Sequence, residues 1–262
     1  MKLEQIREVH SRQPDFINDF FDNSYSRLYL DLLDIELKPQ IDFLEKNYFE
    51  PVSTKTISTL DLCCGTGRHL KKLSEKGYSV DGVDMNPEAV DEAKKNATLG
   101  KVYLSDIQFF KPDHRYDLVY SMESSLGYLS DSQTIELLRN VKENIIKETG
   151  VFVLHLINRE YAIKNFTQRI WFGNATKGYL LEDRIFDALE GILKINQVRI
   201  VDGLDKKYSI NLRLYSLKEL SYLLNEAGLH IKNVYGDYDN SKYGFDSPYM
   251  IIECSSSNKK II

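Results

Sequence analysis

The residues with the clearest chemistry lie in one stretch, Leu60-Asp61-Leu62-Cys63-Cys64-Gly65-Thr66-Gly67-Arg68-His69. Glycines at 65 and 67 let the backbone bend sharply and a ligand approach closely, where a following helix would offer free N–H groups. Asp84 follows Gly65 by 19 positions, the spacing at which a carboxylate meets a ribose diol in nucleotide-binding βαβ units. The third glycine of a dinucleotide loop is missing, with Leu70 in its place, and no G-x-x-x-x-G-K-[ST] cradle occurs. A ligand with ribose but no phosphate fits this stretch best. Two further residues could move a proton. His155 lies near the carboxyl end of an apolar run and would titrate near neutrality. Glu123 follows another such run and could serve as a base or as a substrate anchor. A core histidine satisfied by its neighbours is the competing reading of His155.

These groups need a strand, a turn, a helix and a second strand to hold them, and the surrounding sequence supplies that order. Residues 56–62 read as a short strand, 69–76 as a helix ended by Gly77, and 78–84 as the next strand. Asn86 and Pro87 suit the N-cap and first position of another helix. Residues 101–104 and 116–121 read as strands, and 132–147 as a helix capped by Ser130 or Asp131. The continuous apolar run 151–157 has the texture of a strand buried on both faces. This alternation predicts an α/β fold with a doubly wound parallel sheet, the core spanning 51–160. Before it, residues 1–50 read as a helical cap of two or three helices with a break near Pro39. After it, 161–215 read as an antiparallel β insert, with alternation over 179–189, 191–201 and 208–215 and turns at Glu190-Gly191 and Asp202-Gly203. Residues 216–254 read as a final helix, opened by the capping box of Ser216 and Glu219, and two strands; 255–262 form a polar tail.

Composition narrows the class. The chain has 262 residues, 34 Lys+Arg against 39 Asp+Glu, and a net charge of −5. That balance is ordinary for a globular protein and excludes wholesale disorder. No apolar run is long enough to span a bilayer, and the first residues lack the apolar core of a secretory signal. A cytoplasmic protein without a membrane partner is expected. Three cysteines, two of them adjacent, form neither a disulfide framework nor a zinc pattern, and no metal-ligand set is visible. No basic block is present to attract nucleic acid, which is not an expected partner; a homodimer is left open. Tyrosine is abundant, at 17 residues, which suits pockets and lids as well as cores.

At four stations the chain resembles the class I, Rossmann-like S-adenosylmethionine-dependent methyltransferases. Asp61 to Gly67 is similar to the family's glycine-rich motif, with Cys63 where glycine is common. Gly82-Val83-Asp84-Met85-Asn86 is similar to the second motif, Ser105-Asp106-Ile107 to the third, and Asp117 to Met122 to the fourth strand. The resemblance covers residues 57–157 well and 216–254 more loosely. It implies S-adenosylmethionine as cofactor, held by Asp61, Cys63, Gly65, Gly67 and His69, by Asp84 and Met85 on the ribose, by Asp106 and Ile107 at the adenine, and by Met122 beside the methionine part. It implies a seven-stranded, mostly parallel sheet with one antiparallel strand, and N-terminal helices and an antiparallel insert over the active site. The helical start resembles a subset acting on small molecules, in which an N-terminal tyrosine closes over the cofactor; Tyr25 and Tyr29, one helical turn apart, are the candidates. Methyl transfer to N or O of a small-molecule acceptor follows as the expected reaction. An RNA or protein methyltransferase, a non-catalytic S-adenosylmethionine-binding subunit and an NAD-dependent oxidoreductase are the alternatives. The insert and an aromatic loop at 236–248, with Tyr238, Tyr243, Phe245 and Tyr249, are expected to rim the acceptor pocket, and His155 and Glu123 to be its candidate bases.

Overall fold

The computed structural model describes residues 19–51 and 57–256. The expectations for the first 18 residues and for 257–262 lie outside the described residues. The frame is a seven-stranded sheet made of β1 (Thr59–Leu62), β2 (Val80–Asp84), β3 (Val102–Leu104), β4 (Tyr116–Ser121), β5 (Ile146–Ile157), β10 (His230–Tyr235) and β11 (Tyr249–Ser255). Its order is β10-β11-β5-β4-β1-β2-β3, and only β11 runs against its neighbours.

Alternation along the strands explains why the sheet is covered twice. On β5, Phe152, Leu154 and Leu156 join one core with α4 (Asp131–Asn140) and α6 (Leu217–Glu226). Val153, between them, faces the other core, built with α1 (Asn23–Leu44), α2 (Arg68–Glu75) and α3 (Pro87–Asn96). A strand with apolar side chains on both faces is stable only between two helical layers. Local signals behave as the sequence implied: Asn86 caps α3 with Pro87 at its first position, and Ser130 and Ser216 both form capping boxes.

Three local expectations are corrected. Helix α1 runs unbroken through Pro39. A mid-helix proline costs about 3 kcal/mol, but Leu37, Gln40, Ile41, Phe43 and Leu44 are all buried around it, and that packing outweighs the lost hydrogen bond. Helix α4 stops at Asn140, and a wide turn (Val141–Ile145) leads straight into β5. Buried Ile145 and Ile146 anchor this early change. The register of β5 then jumps, Tyr116 facing Ile146 while Leu118 faces Val151. Third, the insert holds four strands: β6 (Arg169–Asn174), β7 (Gly178–Asp187), β8 (Ile192–Val201) and β9 (Leu204–Arg213), with α5 (Arg159–Lys164) before them. Edge strand β6 was not expected, because its exposed Trp171 and its glycine break the alternation that marks a strand. The β8–β9 turn has Asp202 and Gly203 at φ 52° and 79°, the left-handed pair that a two-residue hairpin requires.

Candidate active site

The carboxyl ends of β1, β2 and β4 open onto a cavity of about 1100 Å³. Ligand pockets commonly measure about 300–1,000 Å³, so this cavity is at the large end of that range. One wall is the turn after β1 with Asp84, Met85, Ile107, Met122 and Glu123; the other is α1, through Leu33, Leu37 and Ile41, with Phe21 and Tyr25 at its start.

The turn after β1 is built from backbone. Cys63 and Cys64 both donate their N–H groups to the Val83 carbonyl, at 2.9 and 3.1 Å. Cys63 takes φ 70° to do so, the conformation a glycine would adopt without strain. The two glycines serve different ends. A Cβ on Gly67 would come within 2.9 Å of the Ala93 backbone, so that glycine lets α2 pack against α3. A Cβ on Gly65 would meet no atom within 4 Å, yet Gly65 lines the cavity at φ 53°, so its bare backbone faces a ligand. Its N–H donates to one Asp84 oxygen and the Asn86 N–H to the other, each at 2.9 Å. The carboxylate is thereby aimed at the cavity it lines.

Asp61 is buried, lines the cavity and leaves Oδ2 without a hydrogen-bond partner. Burial pushes its carboxyl up to about 8. His69 Nδ1 lies 3.8 Å from that oxygen, and burial drives the imidazole down to about 3. A backbone cradle, a fixed carboxylate and an orphaned buried oxygen suit a polar ligand with hydroxyl and amine donors. S-adenosylmethionine fits this set through its ribose diol and its amino group.

At the other end stands Glu123, exposed to the cavity. Glu123 and Ser124 both have φ 60°. Two consecutive non-glycine residues in the left-handed region cost energy and persist only where the surroundings hold them. Here His155 holds them: its Nδ1 accepts the Glu123 N–H at 3.1 Å and its carbonyl accepts the Ser124 N–H at 3.2 Å. Ser124 Oγ in turn accepts the Ile157 N–H at 2.9 Å.

The remaining candidates divide. Gly65, Met85, Ile107, Met122, His69 and Tyr25 line the cavity with Asp61, Cys63, Asp84 and Glu123; Gly67, Asp106, Tyr29 and His155 do not. Asp106 turns its carboxylate to the Gln108 backbone N–H, at 2.9 Å. Tyr29 stacks on Tyr25 at 4.4 Å and donates its hydroxyl to Glu182 of the insert. His155, a candidate base, is held away from the cavity: it is buried, burial drives it down to about 3, and both ring nitrogens are engaged. The residues expected to rim the acceptor pocket lie elsewhere. Among the described residues, none beyond Tyr128 lines the cavity. Tyr238 and Tyr249 pack with His155 behind it, and Tyr243 donates to Asn158.

The insert instead fastens the start of α1. Asp22 caps that helix through the N–H groups of Ser24 and Tyr25. It also accepts bonds from Arg199, Lys206 and Tyr208 of the insert. The Arg199 guanidinium lies 4.4 Å from the Phe20 ring and 4.3 Å from that of Tyr208. Sequence reading missed Gln40, Tyr128 and Arg199. A signal for Gln40 existed: a lone polar residue on the apolar stripe of Leu37, Ile41 and Leu44.

Residues 59–150 match the methyltransferase-domain family. Over 84 residues the chain is 29% identical to a dTDP-3-amino-3,6-dideoxy-alpha-D-glucopyranose N,N-dimethyltransferase of Streptomyces fradiae, a match covering 32% of this chain and 33% of that one. The match therefore spans about a third of that relative's length. In structure the chain is similar to the CcbJ methyltransferase of Streptomyces caelestis, with TM-score 0.71 and 21% identity over 82% of this chain and 90% of that one. It is likewise similar to an S-adenosylmethionine-dependent methyltransferase of Clostridium acetobutylicum, with TM-score 0.73 and 18% identity over 87% and 94%.

Proposed function

We propose that this chain is a class I, Rossmann-like S-adenosylmethionine-dependent methyltransferase that moves a methyl group to the nitrogen of a small amine. Its cofactor is S-adenosylmethionine, which supplies an electrophilic methyl group on a sulfonium. The observation that carries the acceptor reading is Glu123: a carboxylate exposed to the cavity on a left-handed backbone. The likeness to an aminosugar N,N-dimethyltransferase supports nitrogen as the acceptor atom.

The residues then divide the work. Asp84 and the bare backbone at Gly65 hold the ribose end, and Asp61 offers its unpartnered oxygen to an amino group. Phe21, Tyr25 and Tyr128 line the same cavity with Phe21 packed against both tyrosines, and an aromatic face there would favour a cation by about 0.5–2 kcal/mol. Glu123 anchors a protonated amine and takes its proton, leaving the nitrogen lone pair free to attack. Most of the rate comes from alignment, worth up to about 7–11 kcal/mol for a well-oriented pair. Leu33, Leu37 and Ile41 of α1 exclude water from that arrangement.

The test couples two measurements. Titration calorimetry with S-adenosylhomocysteine should show binding to the wild type. Labelled S-adenosylmethionine should then pass its methyl group to members of a panel of small amines that includes aminosugar nucleotides. Transfer to bulk tRNA or to proteins, with none to the panel, would sink the acceptor assignment.

A further inference from the structure

Gln40 is fully buried on α1, yet every hydrogen-bonding atom of its amide is engaged. Oε1 accepts from His69 Nε2 at 2.8 Å, while Nε2 donates to Glu123 Oε1 at 2.6 Å and to the Tyr238 hydroxyl at 3.0 Å. Only one orientation of the amide works, because the flipped one would set its oxygen against the Glu123 carboxylate. Tyr238 is fixed from behind by His155 Nε2 at 2.9 Å. A buried amide with all its partners met holds one geometry, since any movement leaves a desolvated group unpaired.

We propose that Gln40 is the positioning residue that aims the Glu123 carboxylate at the acceptor, so that docking of α1 on the sheet completes the acceptor end of the site. This rests on the reading of Glu123 given above. The cofactor turn and the acceptor carboxylate are then tied through one side chain of α1: His69, beside Asp61, on one side of the amide and Glu123 on the other. Gln40 touches neither reacting atom; it acts through Glu123.

Two experiments test this, one without turnover. In ¹⁵N-labelled protein the Gln40 side-chain amide, assigned by standard connectivities, should stay protected from exchange in D2O and should shift on Glu123→Ala. An amide that exchanges at the solvent rate, or that Glu123→Ala leaves unmoved, overturns the proposal. Second, methyl transfer to the amine panel is compared for wild type, Gln40→Leu, Glu123→Ala and the double variant. A misplacement of about 1 Å can cost about 10²-fold, so Gln40→Leu should lower kcat about 10–100-fold while S-adenosylhomocysteine affinity changes less than about threefold. On top of Glu123→Ala it should add less than about threefold. Losses that multiply in the double variant, or an affinity loss as large as the turnover loss, would assign Gln40 a general structural role instead. If the wild type methylates no amine on the panel, the proposed function fails, and the amide resonance alone decides for or against Gln40.

Discussion

The two ends of the cavity are held by different kinds of bond. At the cofactor end every bond has a backbone group and the partners lie within one strand–turn–helix–strand unit: the Val83 carbonyl with Cys63 and Cys64, and the Asp84 carboxylate with the N–H groups of Gly65 and Asn86. At the acceptor end they are side chains far apart, Gln40 and Tyr238 being separated by 198 positions. A backbone cradle depends on few side chains, so most substitutions there leave it intact. A side-chain network fails as a unit when any member is lost.

The largest effect expected from this contrast is at Glu123. Glu123→Gln should lower kcat about 10²–10⁴-fold, the span of a general base, with S-adenosylhomocysteine affinity nearly constant. Equal losses in turnover and cofactor affinity would erase the division between the ends. Next comes Asp84→Ala, which should weaken cofactor binding by about 1.5–3 kcal/mol, the size of lost charge-assisted hydrogen bonds. Calorimetry showing wild-type affinity would remove Asp84 from the ribose.

A pH titration of stability sharpens the same contrast. His69 and His155 fall from 6.5 to about 3 on folding, so both are neutral in the native state. The unfolded chain binds protons there first, and their contribution, complete above pH 6.5, is lost as pH falls toward 3. Asp61 rises from 3.8 to about 8, so between those values the folded state binds the extra proton and stability falls as pH rises. From about pH 4.5, above which the lowered Glu219 no longer contributes, to 6.5 two histidines oppose one aspartate, leaving a net rise of up to about 1.4 kcal/mol per pH unit. From 6.5 to 8, among the described residues, Asp61 alone acts and the slope reverses. Urea unfolding of the ligand-free protein should show that reversal, and Asp61→Asn should abolish it. The smallest effect is at Asp106, whose carboxylate serves the Gln108 N–H: Asp106→Ala should change cofactor affinity by less than about 0.6 kcal/mol. A tenfold loss would return Asp106 to the adenine.

The same contrast explains what the sequence made legible. Gly65, Gly67 and Asp84 all fall within one strand–turn–helix–strand unit, Gly65 and Asp84 being 19 positions apart, so their spacing alone exposes the turn and its ligand. The doubly covered sheet was legible for a similar reason, because alternation along β4 and β5 is local. Glu123 could be named, but nothing near it marks a left-handed backbone or a partner on α1. His155 shows the limit most clearly. Its place at the end of a strand suggested a base, while the partners that make it a support, the Glu123 N–H and Tyr238, lie 32 and 83 positions away.

Helix α1 is fastened along its length: to the insert through Asp22, to α2 by the Arg68 guanidinium on the Leu33 carbonyl at 2.8 Å, and to the sheet through Gln40. At 22 residues it is a rod about 33 Å long, and a rod pinned at several points is a strut, which cannot swing like a flap. Traffic through the cavity then requires one pin to release while the others carry the load. Gln40 itself is uncharged and fully buried, whereas Lys206, on the Asp22 pin, has a largely exposed side chain, and exposed charges are the ones salt screens. Ionic strength should therefore act as a lubricant for this strut, quickening cofactor release in stopped-flow measurements while the acceptor end keeps its shape.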